Sequence, residues 1–412
     1  MAVGRPKRKN PVLRTRQATL PPAGRSRVAL GMLRGPARGG LELQSCADCG
    51  AVQYPPREMC GACLSDRLVW RPHDGAGELV VETTLRHAME LHFRERLPWR
   101  SGLVRLDGGP TAVAHVHADV PPAPARVTLT AALDRSGQAV LVAVPPGAPP
   151  DLTTDPKLAE MTCDPKGRKA LVTDAKSETG QAMVRALVDA GAEIVWAGVA
   201  APWIRMPGFD AMAALPQVTV VPLDVTDGRS VDTLAAEIGH KVDLIVNTAD
   251  HHRTHGLFGE RGVETAATEM EVNYTGLLRL ARAFGPVMRA RAMDGPKGAA
   301  AWVNVLSVFA LSGWPAQATW AASKAAAHAL TLTMRAELQP AGVRVVGVYP
   351  GPVDDPWNQQ VLPPKLSPAA LASAVVAALR GTVEEVYPGD VAQDWLARLR
   401  SDPKALEREM GR

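Results

Sequence analysis

NVLSVFALSGWPAQATWAASK, residues 304–324, is the stretch that decides the fold of this chain. It begins with apolar residues typical of a buried strand, at whose end Ser307 stands. A loop containing Gly and Pro follows, and then an alanine-rich segment that predicts a helix. That segment carries Trp320 and, four residues later, Lys324. Strand, loop and helix in this order are typical of one unit of a parallel α/β sheet.

The same alternation runs from Lys169 to the end of the chain. The apolar runs KALVT, EIVWA, VTVVPLD, DLIVN, AWVNVLS and VRVVGVYP predict strands. Helices are predicted near 179–190, 231–240, 264–290, 319–338, 367–380 and 390–400. Together they predict an α/β fold with a doubly wound parallel Rossmann-type sheet over residues 169–412. In such a sheet a dinucleotide lies over the first strand–helix turn and along the carboxyl ends of the strands.

Two C-x-x-C pairs lie in the N-terminal part of the chain, separated by ten residues. This spacing predicts a zinc ribbon over residues 28–68, in which four thiolates hold one structural Zn²⁺; unmetallated free cysteines are the alternative. We expect Gly50 and Gly61 to permit the tight turns that direct backbone amides at the sulfurs. The predicted ligands are Cys46, Cys49, Cys60 and Cys63.

Short alternating segments follow over residues 69–146, separated by Gly, Pro and Asp. Five strands at this spacing predict a small β-barrel of the OB type. His115 and His117 share one face of a strand, and we interpret them as exposed or hydrogen-bonded side chains rather than ligands. Residues 147–168 are rich in Pro, Gly and charge and predict a linker, with Cys163 as a lone thiol.

Charge is unevenly distributed over the 412 residues, whose length predicts two or three domains. The net charge is +4, but residues 1–27 hold eight Arg and Lys and no acid. We expect this arm to be disordered; nucleic-acid binding is the alternative, disfavoured because the barrel strands lack dense Lys, Arg and exposed aromatics. No apolar run reaches the roughly 18 residues that span a membrane, and no signal peptide is evident, so a cytoplasmic protein is expected.

Residues 168–400 resemble the short-chain dehydrogenase/reductase family in several markers that agree in order and spacing. The resemblance implies an oxidoreductase site at Asn273, Ser307, Trp320 and Lys324. Asn273 would hold a water, Ser307 would bind a substrate carbonyl and Lys324 would bind the nicotinamide ribose. Trp320 occupies the place of the family's acid/base tyrosine. Because an indole N–H donates but does not titrate near neutral pH, Trp320 cannot exchange a proton with a carbinol.

The positions that would contact NAD(P) are also altered. TDAKSETG, residues 173–180, places Asp174 and Glu178 where the family's turn has glycines. The repulsion between one carboxylate and a phosphate charge about 4 Å away is about 4 kcal/mol at an effective dielectric near 20. Such a repulsion would raise the dissociation constant of the nucleotide by nearly three decades. Lys176 offsets part of this repulsion, and a remodelled turn that still binds is the alternative. The cofactor positions implied by the resemblance are Thr173, Asp174, Glu178, Gly180, Asp224, Asn247, Pro350 and Gly351.

Three further positions depart from the family's pattern. Gly198 stands where NAD-preferring members carry an acid, and Asp250 replaces the last glycine of the N-N-A-G motif. Asp354 and Asp355 replace the threonine that usually meets the nicotinamide amide. The cluster HHRTH at 251–255 has near-ligand spacing, but we interpret it as a loop rather than a metal site.

Residues 28–146 resemble the zinc-ribbon/OB-fold family that accompanies thiolase-type enzymes in acyl-CoA metabolism. The two resemblances together imply an accessory subunit that binds acyl-CoA and docks a thiolase-like or dehydrogenase-like partner. Its own dehydrogenase-like domain is expected to be inactive, a pseudoenzyme that forms homo- or hetero-oligomers. An active NAD(P)-dependent 3-hydroxyacyl-CoA dehydrogenase with a remodelled site is the alternative.

Overall fold

The chain forms three sheets in succession: a three-stranded ribbon, a closed five-stranded barrel and a seven-stranded parallel sheet. This computed structural model describes residues 20–147, 151–259, 262–292 and 298–410. Most of the arm predicted to be disordered, residues 1–19, therefore lies outside the described residues. Its described end is packed: Pro21 is buried, and its carbonyl accepts a hydrogen bond of 2.5 Å from Ser136 Oγ.

The ribbon and the barrel confirm the predicted β architecture of the N-terminal part. Two short 3₁₀ segments at 29–34 and 36–38 precede the ribbon, whose strand order is β2-β1-β3. The barrel closes in the order β4-β5-β6-β8-β7, and its inward side chains alternate along the strands as the sequence pattern requires. The strands are β1 Glu42–Cys46, β2 Val52–Gln53, β3 Leu68–Pro72, β4 Ala76–Leu85, β5 Trp99–Leu106, β6 Thr111–Val116, β7 Ala125–Leu133 and β8 Ala139–Val144, with α1 Leu91–Arg94 between β4 and β5.

The C-terminal part confirms the doubly wound parallel sheet, with strand order β11-β10-β9-β12-β13-β14-β15. The strands are β9 Lys169–Val172, β10 Ile194–Val199, β11 Val218–Pro222, β12 Leu244–Asn247, β13 Ala301–Val305, β14 Arg344–Val348 and β15 Glu385–Val386. The helices are α2 Glu178–Asp189, α3 Phe209–Ala213, α4 Gly228–Ile238, α5 Val263–Met270, α6 Leu277–Arg291, α7 Ala318–Leu338, α8 Pro368–Arg380, α9 Asp390–Ser401 and α10 Pro403–Met410. In the described part, no helix is long and apolar enough to cross a membrane.

One predicted helix contains a π turn. The helix expected at 264–290 forms one continuous helical run over 263–291, in which a π-helical turn, Glu271–Gly276, joins α5 to α6 and contains Asn273. Gly276 lies in this turn against Val225, where an added Cβ would come within 2.9 Å of that side chain. Single π turns inside helices are frequent at functional sites, because the extra residue turns a side chain away from the helix register.

The predicted linker joins the barrel to the parallel sheet through packed contacts. Its described part, 151–168, holds two 3₁₀ segments whose Leu158 and Met161 are buried in one cluster with Trp99 of the barrel. The barrel and the parallel sheet are also in direct contact, since Arg344 Nη2 donates a hydrogen bond to the carbonyl of Leu133 at 3.0 Å. The barrel is therefore in direct contact with the parallel sheet at the N-terminal end of β14.

Candidate functional site

The four predicted zinc ligands come together at the end of the ribbon. Their sulfurs all lie within 4.8 Å of one another, with Sγ–Sγ distances of 3.6 Å for Cys46–Cys63 and for Cys49–Cys60. A tetrahedral zinc ion with Zn–S bonds of about 2.3 Å holds its sulfurs about 3.8 Å apart. The donor set and its spacing therefore fit a closed, structural zinc site.

Backbone geometry around the cysteines explains one predicted glycine and corrects the other. Gly50 has φ +75° and donates to the carbonyl of Cys46, as a tight knuckle requires. In the second knuckle the equivalent residue is Leu64, with φ +63°, so the expectation for Gly61 is wrong. The backbone amide of Cys49 lowers the pKa of the Cys46 thiol to about 7, which favours the thiolate that binds metal.

Two glutamines brace the knuckles. Gln44 Oε1 accepts hydrogen bonds from the amide of Arg57 and from Gln53 Nε2, at 2.9 and 2.8 Å. Gln53 Oε1 in turn accepts from the amide of Gly61 at 3.0 Å. These outer contacts orient the ligand-bearing turns, as supporting groups do in metal sites generally.

A cavity of about 330 Å³ lies at the carboxyl ends of the parallel strands, where the fold predicts a ligand. Its lining combines apolar and polar side chains. They come mainly from the turn after β9, the loop after β12, the start of α7 and the segment after β14. No tyrosine lines it in the part of the chain that the structure describes, so the proton donor of the family's chemistry is missing from this cavity.

The turn after β9 is held by hydrogen bonds within the protein. Thr173 Oγ1 donates to Asn247 Oδ1 at 2.8 Å, which fixes the turn to the end of β12. Asp174 adopts φ +45°, in the left-handed region that disfavours residues with a Cβ. Gly180, in the first turn of α2, lies so close to this turn that an added Cβ would come within 2.1 Å of the Asp174 carbonyl oxygen. Thr173, Asn247 and Gly180 therefore have structural roles that need no cofactor.

The turn after β9 brings two carboxyl groups to the cavity, those of Asp174 and Glu178. Burial, opposed by a hydrogen bond from Ser177 and assisted by the charge of Asp250, raises the pKa of Asp174 to about 7. Glu178, the first residue of α2, is exposed and also lines the cavity. Lys176 does not offset these carboxylates directly, because its Nζ donates to the carbonyls of Ala201 and Pro202 at 2.6 and 2.9 Å.

A second group of lining side chains is organised around Asp250. Trp320 Nε1 donates to Asp250 Oδ1 at 2.9 Å, and Lys324 Nζ forms an ion pair with the same oxygen at 3.1 Å. Lys324 also donates to the carbonyl of Val305 at 3.3 Å. Burial by itself would raise the pKa of Asp250, but the charges of Lys324 and His252, together with hydrogen bonds from His252 and Trp320, hold it well below its usual range. Two of the four positions of the predicted oxidoreductase site, Trp320 and Lys324, thus bind a carboxylate of the chain itself.

The other two positions of that predicted site, Ser307 and Asn273, form hydrogen bonds within the protein. Ser307 Oγ donates to the carbonyl of Pro350 at 3.3 Å and accepts from the amide of Phe309, so it caps a short 3₁₀ segment. Asn273 exchanges hydrogen bonds with the backbone of His251 at 3.0 and 2.9 Å and donates to Ser323 Oγ at 2.8 Å. Neither side chain lines the cavity.

The remaining predicted cofactor positions divide between the cavity wall and its surroundings. Asp224 lies outside the cavity, where its carboxylate accepts two hydrogen bonds from Thr226. Pro350 and Gly351 line the cavity directly. Asp355 also lines it and caps the following turn through the amide of Trp357, and burial raises its pKa.

The histidine cluster is divided among separate contacts. His252 is buried, its Nδ1 lies 3.1 Å from Asp250 Oδ2 and its ring packs between Trp320 and Trp357. His255 Nε2 lies 3.2 Å from Thr319 Oγ1. Among the described residues only the four cysteines form a group that could hold a metal ion.

Sequence reasoning did not foresee what Asp250 and His252 do together. Asp250 was predicted only as a lost glycine, and His252 only as one of a weak metal-like cluster. Gln317 and Trp357, which also line the cavity, were not singled out at all. The spacing D-x-H at 250–252, directly after a strand of the parallel sheet, is the signal that could have identified the pair.

Comparison with known proteins assigns each region. The short chain dehydrogenase family matches residues 168–365. The ChsH2 rubredoxin-like zinc ribbon domain matches 34–69, and the ChsH2 C-terminal OB-fold domain matches 70–132.

Individual relatives support the same assignment. An uncharacterized oxidoreductase of Staphylococcus haemolyticus is 30% identical over 220 residues, 52% of this chain and 91% of that protein. A 1-deoxy-11-beta-hydroxypentalenate dehydrogenase of Streptomyces exfoliatus is 32% identical over 209 residues, 48% of this chain and 72% of that protein. A short chain dehydrogenase from Burkholderia cenocepacia, solved in complex with NADP, is 36% identical with a TM-score of 0.53, covering 60% of this chain and 98% of that one. The chain therefore belongs to the short chain dehydrogenase family, through a C-terminal domain fused to a ChsH2-type zinc ribbon and OB-fold.

Proposed function

We propose that this protein is an accessory subunit in acyl-CoA metabolism whose dehydrogenase-type domain does not turn over NAD(P). The observation that carries the proposal is the contact of Trp320 and Lys324 with Asp250, at 2.9 and 3.1 Å. In this arrangement the lysine that would bind a nicotinamide ribose is neutralised by a neighbouring carboxylate. The indole that replaces the acid/base group donates to the same oxygen, and it does not release its proton near neutral pH.

Electrostatics at the cavity supports the same proposal. Four carboxylates line it against two lysines, and both lysines are already bound within the protein. A diphosphate brought beside the Glu178 carboxylate would meet like charge, at a cost of about 4 kcal/mol for one contact near 4 Å at an effective dielectric of 20. We therefore expect nucleotide affinity to be weak.

The nucleotide half of the proposal is tested by calorimetric or fluorescence titration with NADH and NADPH. We expect no saturable binding at micromolar concentrations. The double variant Asp174→Gly/Glu178→Gly, which removes both carboxylates from the turn after β9, is expected to bind more tightly than the unmodified protein. Micromolar binding to the unmodified chain, together with turnover of a 3-hydroxyacyl-CoA, would overturn the proposal.

The zinc ribbon and barrel carry the docking half of the proposal. Domains of the ChsH2 type cover 34–132, and a thiolase-like subunit handling acyl-CoA is the partner that this module suggests. Copurification with candidate thiolase-like proteins is the test. We expect a complex that is lost in Cys46→Ser/Cys49→Ser and kept in Cys163→Ser, since Cys163 lies outside the cysteine cluster. A chain that stays alone at micromolar concentrations would refute docking.

An active NAD(P)-dependent 3-hydroxyacyl-CoA dehydrogenase is the second candidate. Two observations favour it: the cavity persists at the carboxyl edge of the sheet, and a relative of 36% identity was solved with NADP. The same titration separates the candidates, because only this one predicts nucleotide-dependent turnover.

A further inference from the structure

A second, smaller cavity of about 20 Å³ lies where the barrel meets the parallel sheet. Four arginines line it, and they come from the residues after β7, the segment before β9, the last turn of α7 and the start of β14: Arg135, Arg168, Arg335 and Arg344. A guanidinium group stays protonated in proteins. The cavity therefore collects four positive charges from both parts of the chain.

Most of this charge has no carboxylate partner among the described residues. Arg335 forms an ion pair with Glu384, with 3.5 Å between Nε and Oε2. The other three guanidinium groups donate to backbone carbonyls instead. Arg344 Nη1 also lies 3.6 Å from the sulfur of Cys163. Carbonyl and thiol groups satisfy hydrogen bonds but leave the positive charge uncompensated.

Burial makes this uncompensated charge costly. Arg344 is 9% exposed. Burial lowers the pKa of Arg135, and the charges of Arg168 and Arg344 lower it further. A buried charge without a counter-charge is strongly destabilising. An anion bound between these groups would supply the counter-charge.

Asp134 is a second, independent indication of a ligand. It lines the same cavity, is 2% exposed, and its Oδ2 is a buried atom without a hydrogen-bond partner among the described residues. Its Oδ1 accepts from the amides of Ser136 and Gln138 at 2.8 and 3.0 Å. An ionised carboxylate beside four guanidinium groups should pair with one of them, yet Asp134 forms no ion pair in the described part of the chain. A protonated carboxyl explains both facts, because Oδ2 then presents an O–H donor to the cavity.

The groups around Asp134 act on its proton in opposite directions. Burial raises its pKa, and the two backbone amides together with the charges of Arg25 and Arg344 oppose this effect without cancelling it. The remaining titratable groups of the cavity wall are Arg135, Cys163, Arg168, Arg335 and Glu384. A neutral Asp134 leaves the wall with a larger excess of positive charge and with one more donor.

We propose that this cavity binds a single chloride ion, which accepts hydrogen bonds from the guanidinium groups of Arg135 and Arg344 and from the protonated carboxyl of Asp134. A volume of about 20 Å³ exceeds the roughly 10 to 15 Å³ that admit one water, and it is too small for sulfate or phosphate. The ion would join the barrel to β14 through charge-assisted hydrogen bonds. The inference depends neither on the nucleotide cavity nor on the docking of a partner subunit.

The NMR line width of chloride, titrated against the full chain in a chloride-free buffer, tests the proposal. We expect a broadening that saturates in the millimolar range. Arg135→Met removes one donor and one positive charge, and it should reduce the saturable broadening by about fivefold or more. Arg126→Met is the matched control, because Arg126 is exposed on β7, pairs with Asp107 and does not line the cavity. It should bind chloride as the unmodified chain does.

Asp134→Asn tests the role of the carboxyl proton. The amide keeps an oxygen for the two backbone amides and places an N–H donor at the position of Oδ2 at every pH. In the unmodified chain we expect chloride affinity to fall several-fold from about pH 6 to about pH 8.5, because Asp134 loses its donor and gains a negative charge. In Asp134→Asn the affinity should stay constant over the same range.

The combination of variants keeps the test decisive. Should Arg135→Met fail to fold, the unmodified chain and Asp134→Asn decide. Broadening that does not saturate in the unmodified chain, saturable broadening that survives in Arg135→Met, or an Asp134→Asn variant as sensitive to pH as the unmodified chain would overturn the proposal.

Discussion

The zinc ribbon and the dehydrogenase-type site show two ways in which a protein retains functional residues. In the ribbon all four cysteines keep both their spacing and their geometry, because the thiolates hold the fold itself. In the parallel sheet two of the positions predicted for catalysis, Lys324 and Trp320, contact Asp250, a carboxylate of the chain itself. A site that stabilises its own domain must keep its chemistry, whereas a site placed on an independently stable sheet can exchange it.

The largest effect is expected from removing two zinc ligands of the ribbon. We expect Cys46→Ser/Cys49→Ser to lose the metal, and with it a structural contribution of about 10 to 16 kcal/mol if the site resembles zinc-finger peptides. Metal analysis should fall from one zinc per chain to none, and hydrogen exchange should rise across 42–72. Cys163→Ser is the control, since that buried thiol lies far from the cluster, beside Arg344. A variant that still holds one zinc per chain would contradict the comparison.

An intermediate effect concerns Asp250. We expect Asp250→Ala to destabilise the protein by about 3 to 5 kcal/mol, because it leaves Lys324, whose side chain is 4% exposed, without a counter-charge. Urea unfolding measures the change. The double variant Asp250→Ala/Lys324→Met is expected to recover most of the loss, since it removes the buried charge as well. A loss below about 1 kcal/mol in the single variant would show that the pair does not support the domain.

The smallest effect is a pH dependence at Asp174. Its pKa, raised by burial to about 7, means that the folded chain holds a proton that the unfolded chain releases above about pH 4. Stability is therefore lost as the pH rises from about 4 to 7. Asp174→Asn, which tolerates the positive φ, is expected to match the unmodified protein near pH 4 and to melt about 2 to 6 °C higher at pH 8. Glu178→Gln, an exposed carboxylate of the same turn, should show no such difference.

The architecture was predictable because it depends on local patterns. Apolar runs such as AWVNVLS and the C-x-x-C spacing each carry their own period or geometry, and the sheet order and cysteine cluster confirm them. The contacts of the site were not predictable in this way. Asp250 follows β12, and Trp320 and Lys324 lie on α7, so their shared hydrogen bonds are visible only once the sheet brings these elements together.

Backbone conformation was a second limit on prediction. Glycine is the residue expected wherever φ is positive. Leu64 and Asp174 nevertheless both adopt a positive φ. The π turn that carries Asn273 likewise leaves no mark in an apolar pattern that continues through it. Tertiary packing decides such positions, and residue type by itself does not.

Gly198, near the end of β10, leaves no room for a side chain. An added Cβ there would lie 2.8 Å from Leu223 Cδ2 and 3.1 Å from the carbonyl of Val172. An acid that binds a nucleotide ribose would fit at this strand end only if Leu223 and the neighbouring backbone made room for its Cβ. A Gly198→Asp exchange is therefore expected to cost stability before it offers a contact to a nucleotide.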